Sequence, residues 1–198
     1  MITIAALNAL ARDAFVDLLA EVYEHSPWVP EAAFDRGPFA GRADLHAAME
    51  ATVAGADRVR QLALLRAHPE LAGRAAQRGE LTAHSSREQA GSGLLGGPSP
   101  AVARLRDLNR AYAERFGFPF IIAVRGLDRD AILARLEQRL GNPPETERAE
   151  ALRQVGRIAA LRLEALVAPC PGPELPGLGA GGAADRPAER QRPARAVR

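Results

Sequence analysis

The chain has 198 residues, 26 basic against 24 acidic side chains and a single cysteine. That length suits one domain with a real core, and one cysteine excludes both a disulfide framework and a cysteine-rich metal site, which points to a reducing compartment. The net charge of +2 resides in the C-terminal tail, where five arginines from Pro169 onward face three acidic residues, so nothing resembles a nucleic-acid footprint.

Every basic residue is arginine, which removes Schiff-base chemistry on lysine from the available mechanisms. Met1-Ile2-Thr3-Ile4 has no basic segment before an apolar core, and Asp13 and Asp17 interrupt the next run. No apolar stretch approaches the length of a membrane span. The expectation is a soluble, cytoplasmic protein with no membrane or nucleic-acid partner.

The periodicity is helical nearly throughout. Thr3 caps a short helix expected through Leu10. Asp13 to Tyr23 carries Phe15, Leu18, Leu19 and Val22 at spacings of three and four, the stripe of an amphipathic helix. Ser26-Pro27-Trp28-Val29-Pro30 is expected to break it, with Trp28 buried in the corner. After Gly37-Pro38-Phe39 a helix runs from about Arg42 to Ala54, with Leu45, Ala48, Met49 and Val53 on one side and Gly55 as its stop. Asp57 caps the next helix, which ends at His68 because Pro69 disfavours helical geometry in the residue before it.

Residues 72 to 82 read as a polar turn or short surface helix. Ser85 with Glu88 three residues later has the form of a capping box. Gly91 to Pro100, with four glycines and two prolines, is too broken for a regular element. Ser99 caps a long helix from Pro100, on which Val102, Leu105, Leu108/Asn109 and Tyr112 step along one face to Phe116, and Gly117 ends it. Phe118 to Val124 is the most hydrophobic run, read as a buried extended segment whose N–H groups need partners from elsewhere. Asp128 caps a helix through Leu140. The last helix, about Glu145 to Val167, aligns Ala149, Leu152, Val155, Ile158/Ala159, Leu163 and Leu166. From residue 168 the composition collapses to Pro, Gly, Ala and Arg, which buries too little apolar surface to offset its ordering entropy. The expected architecture is one all-α domain over residues 1–167, of about eight helices, with a disordered tail over 168–198.

Four stretches carry a likeness in combination. They are Glu24-His25-Ser26-Pro27-Trp28-Val29, Ala67-His68-Pro69-Glu70-Leu71, Ser85-Ser86-Arg87-Glu88-Gln89, and Asn109 to Val124 with Arg115-Phe116-Gly117-Phe118-Pro119-Phe120. Ile158-Ala159-Ala160-Leu161-Arg162-Leu163 is a weaker fifth. In order and spacing they resemble the OHCU decarboxylases, the 2-oxo-4-hydroxy-4-carboxy-5-ureidoimidazoline decarboxylases of urate breakdown. The similarity runs over about residues 3 to 167. Asp35-Arg36-Gly37-Pro38-Phe39 departs from the family's Arg-Pro-Phe by an added glycine.

The resemblance implies a cofactor-free decarboxylation giving (S)-allantoin, and a homodimer. It implies that His68 is the catalytic acid/base, with Glu88 holding His68 or a substrate hydroxyl in the right protonation state. Pro69, Ser85, Ser86, Arg87, Glu88 and Gln89 would bind the small-molecule substrate, with Pro69 fixing the imidazole's angle. The backbone of Phe120, Ile121, Ile122, Ala123 and Val124 would take the carboxylate or oxyanion, with Arg125 adding charge. Arg162 is expected to be a structural ion-pairing residue. His25, His46 and His84 are expected to be solvated or locally bonded. No metal site is expected, since no partners stand at ligand spacing. A competing reading keeps the fold as a catalytically silent or substrate-shifted binder of ureido compounds.

Overall fold

A computed structural model describes residues 1–71 and 100–169 of the chain. The described residues hold eight α-helices: α1 (Ile4–Asn8), α2 (Arg12–Leu19), α3 (Trp28–Phe34), α4 (Arg42–Gly55), α5 (Arg58–Ala67), α6 (Pro100–Phe116), α7 (Arg129–Leu140) and α8 (Pro144–Leu166). None is long and apolar enough to cross a membrane. The expectation of an all-α fold holds over these residues.

Local chemistry sets most helix starts. Thr3 accepts from the Ala6 amide, Asp57 from Arg60 and Asp128 from Ala131, each satisfying one of the donors that a first turn leaves unpaired. Gly117, at φ 76°, occupies the left-handed conformation that ends α6.

Several expectations need correction. The first helix stops at Asn8 rather than Leu10, and the second at Leu19 rather than Tyr23. Val22 and Tyr23 are buried all the same, delivered by turns instead of a helix. The two prolines do not break the chain either, because α3 starts between them. Pro27 is its cap and Pro30 lies in its first turn, where a missing N–H forfeits no intrahelical bond. Trp28 is half-buried, with the Arg60 guanidinium 5.9 Å from its ring centroid.

The 23-residue α8 organises the core by packing on α4, α5 and α6. Its buried face runs through Ala151, Val155, Ile158, Ala159 and Leu163, whereas Ala149, expected on that stripe, is exposed. Ala149 sits two residues from Ala151, a step that helical geometry turns to the opposite side. Elsewhere α3 bridges α2 and α4, and α6 pairs with α7. Phe15 packs its ring against Phe34 at 5.3 Å and Phe39 at 6.1 Å.

The two ends of the domain are tied together. Ile2 N–H donates to Leu166 C=O and Ala168 N–H to Ile2 C=O, both at 2.8 Å, making a parallel bridge between Ile2 and Val167. Ala168 therefore belongs to the fold, one residue beyond the expected boundary.

Candidate active site

His68 stands where the sequence places it. Pro69 forces it out of helical geometry (φ −69°, ψ 134°), and it caps α5 while its own N–H still reaches Leu65 C=O at 3.3 Å. The residue is 7% exposed, and among the described residues neither Nδ1 nor Nε2 has a partner that meets hydrogen-bond geometry. Buried polar atoms are nearly always paired, so two orphaned nitrogens on one ring mark a place prepared for something else.

The protonation state of this imidazole follows from its surroundings. Burial pushes the His68 pKa down to about 4, and the Arg162 guanidinium pushes the same way. The Glu24 carboxylate opposes them, as does the Leu64 backbone carbonyl. His68 is thus neutral at physiological pH. A histidine serving only to complement a helix C-terminus would be held in its charged form, and its pKa would rise.

Arg162 and Glu24 form a buried ion pair at 3.1 Å, and Arg162 Nη1 donates to Glu21 C=O at 2.8 Å. The structural ion pair expected of Arg162 is present. Its position next to His68 was not anticipated, nor was any role for Glu24. The available signal was that both residues lie inside the stretches carrying the resemblance.

The segment after His68 is clamped on both sides. Asn109, itself 2% exposed, donates from Nδ2 to Leu71 C=O at 2.9 Å, and Arg66 Nε donates to Gly117 C=O at 2.9 Å. The end of α5 and the end of α6 are thereby held together, and with them the histidine and the Phe118–Val124 run.

That run is buried except at the half-buried Pro119 and Ala123, and it belongs to no helix or strand. Tyr112 packs against Phe116, Phe118 and Phe120 at centroid distances of 4.7, 6.0 and 5.3 Å. Behind it lies a polar cluster. Glu147, fully buried, accepts from the Tyr112 hydroxyl, from Arg139 Nε at 2.8 Å and from Asn142 Nδ2 at 2.6 Å. Burial and the Glu147 bond together push the Tyr112 phenol up. Arg139 extends the cluster to the Ile121 carbonyl and stacks 4.7 Å from the Phe120 centroid. The Ala123 amide, expected among the anion donors, is engaged by Gln154 Oε1 at 3.0 Å. Arg125 is exposed and paired with Glu164 at 2.9 Å, so its charge is answered at the surface.

Of the expected site residues, His68, Pro69 and Phe120 to Arg125 are described. Ser85, Ser86, Arg87, Glu88 and Gln89 lie outside the described residues, as do His84, the 91–99 loop and the Ser99 cap. His46 is locally bonded through Nε2 to Gly156 C=O at 2.9 Å, and His25 is exposed. Among the described residues no three potential ligands gather as they would around a metal ion.

The OHCU decarboxylase family profile matches residues 8–164. The 2-oxo-4-hydroxy-4-carboxy-5-ureidoimidazoline decarboxylase of Haloferax volcanii is 43% identical over 162 residues, covering 82% of this chain and 94% of that one. The mouse protein of the same name is 40% identical, covering 81% and 90%. Among solved structures, that of an (S)-allantoin synthase superposes with a TM-score of 0.67 at 32% identity, covering 84% of this chain and 54% of that one. With a profile match over most of its length and such relatives over nearly theirs, this chain belongs to the OHCU decarboxylase family.

Proposed function

We propose that this protein decarboxylates 2-oxo-4-hydroxy-4-carboxy-5-ureidoimidazoline to (S)-allantoin in urate degradation, with His68 handling the proton. The observation that carries the assignment of the residue is a buried, neutral imidazole with both ring nitrogens unpartnered, in the Ala67-His68-Pro69 motif.

The substrate supplies its own electron sink. When the bond from ring carbon to carboxylate breaks, its electron pair forms a C=C bond to the carbon carrying the ureido group, the C=N pair moves onto the ring nitrogen, which takes a proton from water, and CO2 leaves an enol bearing the former 4-hydroxyl. A neutral His68 takes the hydroxyl proton, and the imidazolium so formed delivers a proton to the carbon carrying the ureido group. The hydroxyl becomes the ring carbonyl, and delivery from one side sets the stereocentre. No cofactor is required by this sequence of bonds. The protein's part is orientation, stabilisation of the developing anion and placement of one proton.

Glu88 is assigned the role of holding His68 or the substrate hydroxyl, and Pro69, Ser85, Ser86, Arg87 and Gln89 the binding of ring and ureido groups. The active species is a cytoplasmic homodimer. Sedimentation tests the oligomer, and a stable, fully active monomer refutes it.

The decisive experiment generates the unstable substrate from urate in situ and follows optical activity by circular dichroism. Wild type yields enantiopure (S)-allantoin, whereas His68→Asn yields the slow racemic background. Full stereospecific turnover by His68→Asn would remove His68 from the mechanism.

A further inference from the structure

The Phe118–Val124 run is largely buried outside any helix or sheet, so its peptide groups need partners of their own. Side chains meet two of them. Arg139 Nη1 donates to Ile121 C=O at 2.7 Å, and the Ala123 N–H donates to Gln154 Oε1 at 3.0 Å. Gln154 is 4% exposed and is fixed in turn, because its Nε2 donates to Glu150 Oε1 at 2.7 Å.

In an extended chain, successive residues turn their peptide groups to opposite sides. The Ile121 carbonyl and the Ala123 amide, bonded to Arg139 from α7 and Gln154 from α8, mark one side of such a run. Residues 122 and 124 share the other. Among the described residues nothing accepts from the Ile122 or Val124 amides.

We propose that Gln154 is a positioning residue: by holding the Ala123 amide it turns the Ile122 and Val124 N–H groups into a two-donor cradle for an anionic substrate oxygen. This rests on the decarboxylase reading and sharpens it. Of the five backbone positions in the expected set, 122 and 124 donate, and 123 does not because its donor is engaged. Gln154 acts through the backbone and leaves the substrate to the amides. The oxygen is either the carboxylate, held before the bond breaks, or the ring oxygen that gains charge as CO2 leaves.

The test uses the full-length protein with substrate generated from urate. Gln154→Met removes the acceptor at similar volume. The double variant Glu150→Gln/Gln154→Glu restores an acceptor to the Ala123 amide and keeps the bond between the two side chains with its direction reversed. Exchange of the Ala123 amide, read by NMR, reports the hold itself. Gln154→Met is expected to lose about tenfold in kcat/KM, the order of one hydrogen bond, with stereospecificity intact and faster Ala123 exchange. The loss falls on KM if the cradle takes the carboxylate and on kcat if it takes the ring oxygen. The double variant regains most of it.

Unchanged kinetics with accelerated Ala123 exchange would overturn the proposal, as would a loss that the double variant does not repair. Should Gln154→Met fail to fold, Glu150→Ala loosens the carboxamide without removing its acceptor, and unchanged kinetics there overturns the proposal equally. An inactive wild type defeats the decarboxylase reading and this one with it. An active wild type with an unaffected Gln154→Met defeats only this one.

Discussion

Arg162 and Glu24 meet at 3.1 Å with side chains each 2% exposed, and both act on His68, the cation adding to burial in holding the imidazole neutral and the anion working against it. The catalytic candidate is therefore a base at rest. Its proton must come from the substrate before it can be given back, which matches a reaction that moves one proton from an oxygen to a carbon.

The pH dependence follows from the His68 pKa of about 4 against the ordinary histidine value of 6.5. For the free enzyme, kcat/KM is expected to stay level from pH 8 down past pH 6 and to fall only toward pH 4. An unperturbed histidine would already be half protonated at its ordinary value. Between the two pKa values the unfolded chain binds more protons than the folded one, so stability rises with pH across that window. About 3 kcal/mol is present above pH 6.5 and is lost progressively as pH falls to 4. Denaturant melts of wild type and His68→Asn at pH 4.5 and 7.5 measure this. A difference between the two proteins that does not change with pH would refute the depressed pKa.

Arg162→Met removes the counter-charge of a buried carboxylate, which costs roughly 3–5 kcal/mol. It also removes the cation that depresses His68, so the acid limb of kcat/KM moves up toward the ordinary histidine range. Adding Glu24→Gln is expected to restore part of the stability, since the pair is coupled. Additive losses in the double variant would mean that the two charges do not stabilise each other.

Glu147→Gln tests the cluster behind the Phe118–Val124 run. Glu147 accepts from Tyr112, Arg139 and Asn142 at once. Losing its charge leaves the buried Arg139 uncompensated, a cost of about 3 kcal/mol and a fall in Tm of about 10 °C by thermal melting. A shift of only a degree or two would show that Arg139 finds its stability elsewhere.

Removing residues 170–198 is expected to leave turnover and Tm unchanged, because the tail's composition offers little apolar surface to bury. Ending the chain after Leu166 instead removes Ala168, whose N–H bonds the Ile2 carbonyl at 2.8 Å, and lowers Tm by several degrees. Equal effects from both truncations would place the boundary elsewhere.

The caps Thr3, Asp57 and Asp128 and the glycine stop at 117 were legible in the sequence, because each acts within one turn of the residue carrying the signal. The start of α3 between Pro27 and Pro30 was not, since a proline reads as a breaker until the first helical residue is known. Nor was Gln154, which lies 31 residues from the amide it holds. A glutamine on a helix reads as surface, and only the packing of α8 beneath an irregular segment gives its acceptor a task.

For Ala67-His68-Pro69, the sequence by itself determined the family, the backbone geometry imposed by Pro69 and the identity of the acid/base candidate, all of which depend on neighbours along the chain. Tertiary structure alone decided that His68 is neutral, that Glu24 and Arg162 stand beside it from 138 residues apart, and that the Ala123 amide is engaged. Desolvation and charge act through space, so a group's protonation state and a peptide's free direction exist only once distant segments have been packed around them.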